Sequence, residues 1–198
     1  MAANLGAHEV MEMHEILFNT ITSINTIQLY NEHCKDPELK NIVQKQLNFM
    51  IDEYNNMVRS LNQQGAGQAV PYRANMNFSP TYGLRNPSPQ SPNPSAKQVD
   101  DQDVASALLM IHKCSATHRM MAALECSNPD FRRMLIQCAV NCADEAYEIW
   151  QFMNKRGYYQ VPTMQQNTTD TMIQSYQPMG GGQQQHHATP VPPAGYMS

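Results

Sequence analysis

Residues 126–157, CSNPDFRRMLIQCAVNCADEAYEIWQFMNKRG, decide the fold because the chain carries a second version of them. Residues 34–65, CKDPELKNIVQKQLNFMIDEYNNMVRSLNQQG, align with this stretch without a gap, 92 positions earlier. Many aligned positions keep their chemistry, and six are identical: Cys34/Cys126, Pro37/Pro129, Asp52/Asp144, Glu53/Glu145, Asn62/Asn154 and Gly65/Gly157. The sequence therefore indicates an internal repeat.

The identical positions fall where a helix begins and ends. Asp36 and Asn128 are N-cap residues, and each is followed by a proline, which suits the first helical position. The closing glycine of each copy suits the left-handed residue that follows a last helical turn. Each copy is therefore predicted to be one complete helix of about 27 residues.

The composition narrows the classes of protein. The 198 residues carry a net charge of −4, so electrostatics favour neither nucleic acid nor an anionic membrane surface. No apolar run approaches the ~18 residues of a membrane span, and the N-terminus lacks a basic segment followed by an apolar one. We expect a protein made in the cytoplasm without a signal peptide, with no membrane span and no nucleic-acid partner.

The first half of the chain predicts a helical hairpin. Over residues 8–33 apolar side chains recur at helical spacing, and the residue before Pro37 ends that helix. A second helix follows at once, so the two lie antiparallel and form a first hairpin over residues 1–64. The predicted apolar stripes are Val10, Met13, Leu17, Ile21, Ile24 and Ile27 in the first helix, and Leu39, Val43, Leu47, Met50, Tyr54, Met57 and Leu61 in the second.

The sequence predicts a long crossover over residues 65–98. Pro87, Pro89, Pro92 and Pro94 favour extended polyproline conformation. At ~3 Å per residue such a segment spans a helix of ~40 Å, so the third helix can begin at the end opposite to where the second stops.

The second half predicts another hairpin, over residues 99–160, and a tail. The third helix begins near Asp100, and the fourth is the repeated stretch. The predicted stripes are Val104, Leu108, Ile111, Ser115, His118, Met121 and Leu124, then Phe131, Leu135, Cys138, Cys142, Ala146, Ile149 and Met153. Residues 161–198, rich in Gln, Gly, Pro and Tyr, are predicted to be disordered.

Each hairpin leaves an apolar stripe open, and packing one hairpin on the other closes a core. With a long crossover between the second and third helices, the sequence predicts an all-α, ferritin-like four-helix bundle. Hairpins exchanged between two chains, in a swapped dimer, remain the alternative.

Residues 102–159 resemble the spore coat protein F family of endospore-forming bacteria. The resemblance lies in ALECSNPDFRRML, in ADEAYEIWQFMNKRGYYQVP and above all in the closing MNKRGYYQ. It implies a ferritin-like helical fold and a place in the spore coat beside other coat proteins, and it assigns no catalysis and no cofactor.

A ferritin-like fold raises the hypothesis of a di-iron site, which needs Glu residues and Glu-x-x-His pairs on facing helices. Here Glu53 is followed by Asn56 and Glu145 by Glu148, so the histidines are missing. The simpler interpretation is that Glu53 and Glu145 accept hydrogen bonds or ion pairs from the opposite hairpin. The alternative is a residual metal or redox site formed by Glu53, Glu145, His14, His112 and His118.

Cysteines and tyrosines suggest cross-linking in a coat. Five cysteines, an odd number, do not indicate a disulfide framework. Cys138 and Cys142 read as buried apolar residues rather than a reactive pair, whereas Cys34 and Cys126 lie in turns and are expected to be exposed. Tyrosines cluster outside the helices, Tyr72 and Tyr82 among them. The cross-linking candidates are Cys34, Cys126, Tyr158, Tyr159, Tyr176 and Tyr196.

The sequence therefore predicts a non-enzymatic structural component of the spore coat, with no cofactor. Its expected partners are other coat proteins, and a homodimer is possible. The alternative is a ferritin-like metal-binding or redox protein.

Overall fold

The computed structural model describes residues 5–63, 68–75 and 77–179, and within them the chain is all-helical without a β-strand. It forms two compact units, Met1–Pro162 and Thr163–Ser198. The all-α prediction is confirmed. Among the described residues, no helix is both long and apolar enough to cross a membrane. The helices are α1 (Ala7–Asn31), α2 (Pro37–Gln63), α3 (Asp101–Glu125), α4 (Pro129–Arg156) and α5 (Gln166–Gln174).

The long helices α2 and α4 begin at the predicted caps. The Asp36 carboxylate accepts hydrogen bonds from the backbone N–H groups of Glu38 and Leu39, at 2.8 and 3.3 Å. The Asn128 side chain likewise accepts those of Asp130 and Phe131, at 2.9 and 3.2 Å. These bonds satisfy donors that a helix start leaves unpaired, which confirms both predicted starts.

Gly157 ends α4 in the predicted left-handed conformation, with φ of 80°. The N–H of Tyr158 donates to the carbonyl of Met153, and the N–H of Gly157 to that of Asn154, at 2.8 and 3.1 Å. These are the two hydrogen bonds of a Schellman motif. The counterpart of Gly157 in the first copy, Gly65, lies outside the described residues.

The four long helices pack in pairs around one interior. α1 contacts α2 and α3, and α4 contacts α3 and α2. One cluster of buried apolar side chains draws on all four helices, for example Ile27, Leu39, Leu108 and Ile149. Both hairpins of the chain therefore share one core.

The two helix–helix turns are each held by a carboxylate from the first turn of a helix in the other hairpin. Glu9 of α1 accepts hydrogen bonds from the backbone N–H of Asn128 and from the Ser127 hydroxyl, the latter at 3.0 Å. Asp101 of α3 accepts the N–H groups of Lys35 and Asp36, at 2.6 and 3.1 Å. The hairpins are thus tied together reciprocally at both ends.

Glu9 is buried, yet its hydrogen bonds keep it ionised. Burial alone would raise the pKa of this carboxyl, but hydrogen bonds from the N–H groups of Asn128 and Gly6 and from Ser127 outweigh burial. The pKa of Glu9 is therefore held below its ordinary value.

The predicted apolar stripes are right for α2 and α4 and partly wrong for α1 and α3. Every stripe residue of α4 is buried, and in α2 only Tyr54 and Leu61 are half-buried. In α1 and α3, Val10, Ile21, Met121 and Leu124 are exposed, and Ile111, Ser115 and His118 are half-buried. The buried faces of these two helices instead carry polar residues: Glu9 and Thr20 in α1, His112 and Arg119 in α3.

The crossover is extended, as predicted, but it is bound to the helices along part of its length. Asn154 of α4 accepts the N–H of Thr81 at 2.8 Å and donates to the Thr81 carbonyl at 3.1 Å. Asn141, three turns earlier, holds Tyr72 and Val70 through their backbones, at 2.9 and 3.0 Å. A short 3₁₀ turn, Ala96–Gln98, precedes α3. The side chains of α4 thus fix where the crossover runs.

The tail differs from the disorder predicted for residues 161–198. Gln166–Gln174 forms the nine-residue helix α5, with no buried residue. Local hydrogen bonds support it, such as the Thr171 hydroxyl to the Asn167 carbonyl at 2.8 Å. Residues 180–198 lie outside the described residues.

Replacing Gly157 with valine tests the cap of α4. A β-branched residue resists a positive φ, so we expect Gly157→Val to lower the free energy of unfolding by ~1 kcal/mol or more. Gly157→Asn is the matched control and should cost less, because asparagine adopts the left-handed region more readily. Urea denaturation measures both variants, and equal stability of Gly157→Val and the parent would contradict the assignment.

Removing the Asn154 side chain tests whether it holds the crossover. We expect Asn154→Ala to speed tryptic cleavage after Arg85 several-fold, because the Thr81 backbone loses both of its hydrogen bonds to α4 and opens locally. Its repeat counterpart Asn62 is exposed, so Asn62→Ala should leave the cleavage rate unchanged. Mass spectrometry follows the digestion. Identical cleavage rates for both variants and the parent would refute this role.

Candidate functional site

The interior of the helices holds a polar cluster centred on Arg119. This residue of α3 is 3% exposed, and its guanidinium lies 3.2 Å from Glu53 Oε2 of α2. It also donates hydrogen bonds to the hydroxyl of Thr20 in α1, at 3.1 Å, and to Cys142 Sγ in α4. One side chain therefore contacts all three other long helices.

Glu53 is the main counter-charge of Arg119. Its other carboxylate oxygen, Oε1, accepts a hydrogen bond from Asn141 Nδ2 at 2.8 Å. Burial raises the pKa of Glu53, while the charge of Arg119 and the Asn141 hydrogen bond partly offset that rise. Both partners come from the second hairpin, so the simpler prediction for Glu53 is confirmed.

Glu145, the repeat counterpart of Glu53, lies beside His112 rather than beside an arginine. His112 Nδ1 is 3.3 Å from Glu145 Oε2, and both side chains are buried. His112 belongs to α3 of the same hairpin, so the prediction that Glu145 pairs with the opposite hairpin is wrong for its side chain. Its backbone carbonyl does accept a hydrogen bond from Gln46 of α2, at 3.1 Å.

Glu148, one turn further along α4, joins the cluster to the crossover. It accepts hydrogen bonds from Gln46 Nε2 at 3.2 Å, from Lys45 Nζ at 2.7 Å and from the Tyr72 hydroxyl. Tyr72 is buried, and its pKa is raised by burial and by the neighbouring Glu148. Tyr72 lies outside the helices, as predicted, but the crossover folds its ring onto α2 and α4, against Phe49.

The structure brings together only some of the predicted metal candidates. Glu53, Glu145 and His112 lie in the cluster, whereas His14 is exposed and His118 is half-buried with Asn19 at 3.2 Å from its ring. Cys142 is a candidate metal ligand that the sequence analysis did not identify. Its Sγ lies within 4.8 Å of ligand atoms of His112 and Glu145. Its place on the apolar stripe of α4 marked it only as buried.

The cluster does not fit the di-iron hypothesis. Asn56, in the place of one required histidine, donates to the backbone carbonyl of Gln68 at 3.3 Å. Glu148, in the place of the other, is held by Lys45, Gln46 and Tyr72. The paired Glu-x-x-His ligands of a di-iron site are therefore replaced by residues with other contacts.

The thiols predicted to be exposed are buried. Cys34 and Cys126 lie 3% and 8% exposed, because both turns fold over the ends of the core. Burial and the nearby Asp101 raise the pKa of Cys34 to about 11, and burial also raises that of Cys126. Cys138 and Cys142 are buried as predicted, and Cys114, on α3, is exposed. Cys34 and Cys126 are thus poor candidates for reaction with a partner.

The tyrosine candidates differ in their exposure. Tyr176 is 84% exposed and Tyr159 is 39% exposed, whereas Tyr158 is half-buried against Phe152. Burial and nearby aspartates raise the pKa of Tyr158. Tyr196 lies outside the described residues. Tyr159 and Tyr176 are therefore the two described candidates that a partner can reach.

The outer surface of α3 is apolar. Large side chains there face solvent beside the exposed Cys114. A shallow groove runs between α3 and α4, lined by Ala116, Thr117, Met120, Met121, Leu124, Ala139, Val140 and Ala143. Such a surface is suited to contact with other protein chains.

Fold and cluster together define a helical protein of two packed hairpins with a closed polar interior. Residues 100–162 match the family model described as the Coat F domain. The chain is also 31% identical, over 178 residues, to the spore coat protein F-like protein YhcQ of Bacillus subtilis (strain 168), covering 89% of this chain and 82% of that protein. The chain belongs to the spore coat protein F family.

A solved structure shares the fold. It is the crystal structure of a protein provisionally named a spore coat protein, from Bacillus halodurans C-125. The similarity covers 81% of this chain and 95% of the other, with a TM-score of 0.60 and 16% sequence identity. At this identity the likeness concerns the arrangement of the helices alone.

Breaking the Arg119–Glu53 pair tests how far the core depends on it. Arg119→Met should lower the free energy of unfolding by about 3–5 kcal/mol, because it leaves Glu53 buried without its counter-charge. Adding Glu53→Gln should recover part of that loss, since the uncompensated charge is then removed as well. Chemical denaturation measures the free energy of unfolding of the single and the double variant.

The control for this pair is Arg133→Ala, which removes an exposed ion pair with Asp130 and should change stability little. A loss for Arg119→Met no larger than that for Arg133→Ala would contradict a central role for Arg119.

Proposed function

We propose that the protein is a structural, non-catalytic component of the endospore coat. Membership of the spore coat protein F family carries this proposal. The geometry supports it, because the ionisable groups of the interior lie against one another and are closed off from solvent. Glu53, His112, Arg119, Cys142 and Glu145 are all buried, so a substrate does not reach them in this conformation.

We further propose that the fold is a ferritin-like four-helix bundle formed by a duplicated hairpin. The reciprocal turn contacts support the duplication. Asp101 lies 92 positions after Glu9 in the sequence. Asp101 accepts a hydrogen bond from the N–H of Asp36, and Glu9 accepts one from the N–H of Asn128. Equivalent residues of the two copies thus make equivalent contacts. The cyclic order of helix contacts, α1–α2–α4–α3, supports a bundle.

Assembly would use the outer face of α3 and the tail. The exposed apolar residues of α3 offer a contact surface for other coat proteins or for a second copy of this chain. The low content of charged residues, 15%, leaves little repulsion between neighbours. Tyr159, Tyr176 and Tyr196 supply phenols for oxidative cross-links once contact is made.

Localisation tests the coat proposal directly. A tagged full-length chain, expressed in a sporulating endospore former, should be recovered in the coat fraction of purified spores. A variant with charge on the outer face of α3, Met121→Lys, should be recovered less well with unchanged thermal stability. Met11→Lys, at an exposed position of α1, is the control. Absence of the parent chain from the coat fraction would refute the proposal.

Deleting residues 162–198 tests the tail. We expect the truncated protein to keep the melting temperature of the parent, because α5 has no buried residue. We also expect it to be extracted from spores more easily by detergent and reductant, because it lacks Tyr176 and Tyr196.

The double variant Tyr176→Phe/Tyr196→Phe separates cross-linking from adhesion, because it keeps the rings and removes the phenols. Tyr147→Phe, at a ring stacked on Trp150, is its control and should be extracted like the parent. Parent-like extraction of the truncated protein and the double variant together would remove the tail from the assembly mechanism.

A further inference from the structure

One part of the polar cluster is incompletely satisfied. His112 Nδ1 and Glu145 Oε1 are buried and have no hydrogen-bond partner among the described residues. Both belong to the three residues whose ligand atoms lie within 4.8 Å of one another, and Cys142 is the third. Buried polar atoms are almost always paired, so two orphans in one place call for a further binding partner.

The protonation of His112 can be read from its neighbours. Gln46 Nε2 donates to the Glu145 carbonyl and to Glu148, so Gln46 Oε1 is left to face His112 Nε2, at 3.0 Å. An amide oxygen only accepts, and therefore His112 Nε2 carries the hydrogen. In the neutral ring, Nδ1 then presents a lone pair to Glu145 Oε2 at 3.3 Å. Two acceptors face each other, and a cation between them resolves the conflict.

The charges of the cluster also favour a cation. Arg119 pairs with Glu53, but no arginine pairs with Glu145, the repeat counterpart of Glu53. The repeat counterpart of Arg119, 92 positions earlier, is Ile27, which is buried and apolar. The cluster thus holds two carboxyl groups and a thiol beside one guanidinium, and a divalent cation would supply the positive charge that Glu145 lacks.

We propose that His112 Nδ1, Cys142 Sγ and a carboxylate oxygen of Glu145 bind a divalent zinc ion in the core. An imidazole, a thiolate and a carboxylate together form a set that zinc accepts, whereas the thiolate disfavours magnesium and calcium. Ligand atoms of a tetrahedral zinc site lie roughly 3.3–3.5 Å apart. The nitrogen and oxygen already lie 3.3 Å apart, and the sulfur lies within 4.8 Å of a ligand atom of each residue.

The surrounding residues complete the site. Gln46 Oε1 accepts the hydrogen of His112 Nε2, which leaves Nδ1 free to bind zinc. Arg119 donates to Cys142 Sγ, as N–H donors do toward metal-bound thiolates. Burial raises the pKa of Cys142, so the thiol is protonated without metal and releases one proton when zinc binds. The remaining coordination position falls to a water molecule or to Glu145 Oε1.

Cobalt substitution tests the site in the full-length, untagged chain. The chain carries His186→Ala and His187→Ala, so that the adjacent histidines of the tail do not bind metal. Protein refolded with Co²⁺ should take up one ion per chain and show a thiolate-to-cobalt charge-transfer band. Zn²⁺ should abolish that band and raise the melting temperature.

Two cysteines on the same face of α4 supply the variant and its control. Cys142→Ser should lose the charge-transfer band and the stabilisation by zinc, whereas Cys138→Ser, buried one turn earlier, should keep both. If Cys142→Ser does not fold, the band and the stoichiometry in Cys138→Ser decide alone. Absence of bound metal in the folded parent, or a band that persists in folded Cys142→Ser, would overturn the proposal. If the folded parent binds no metal, a proton on His112 Nδ1 takes the place of the proposed cation.

Discussion

The arrangement of the helices depends on one buried guanidinium. The two terminal nitrogens of the Arg119 guanidinium contact acceptors on three different helices, Glu53, Thr20 and Cys142, and these contacts offset the cost of placing the charge in a low-dielectric interior. A rotation or a sliding of α1, α2 or α4 by one residue would withdraw one of these acceptors. An apolar core tolerates many such shifts, because one methyl contact replaces another. The polar cluster therefore specifies the register of the helices more than it adds to their stability.

This cluster also explains which parts of the structure the sequence could predict. The starts of α2 and α4 and the end of α4 follow from local rules, through Asp36, Asn128 and Gly157, and they were predictable. The buried faces of α1 and α3 were not. Periodicity searches for apolar residues, so it placed Met121 and Leu124 inside and did not select Arg119. Only the paired acceptors on other helices make an inward arginine favourable, and no single segment reveals them.

The crossover shows a second limit of prediction from the sequence. Its prolines predict an extended chain, and so it is, but the hydrogen-bond partners that hold it come from Asn141, Glu148 and Asn154 on α4. All three are buried polar residues of the helix, outside its apolar stripe. Polar side chains at such positions usually face solvent. Here they bind a backbone that has no strand or helix of its own, and Tyr72 becomes a core residue as a result.

The distribution of charge connects the interior to assembly. The chain has 30 acidic and basic residues, and at least five of them, Glu9, Glu53, Arg119, Glu145 and Glu148, are buried. Charges that fix turns and helix register inside are not available to repel neighbours outside. The surface that remains is rich in amides and, on α3, in exposed methionine and leucine. A molecule whose fold is specified by interior charges can present an outer surface of low charge and still keep a single structure. In the coat assembly that we propose, neighbouring molecules can therefore pack closely while the buried charges keep the fold of each molecule fixed.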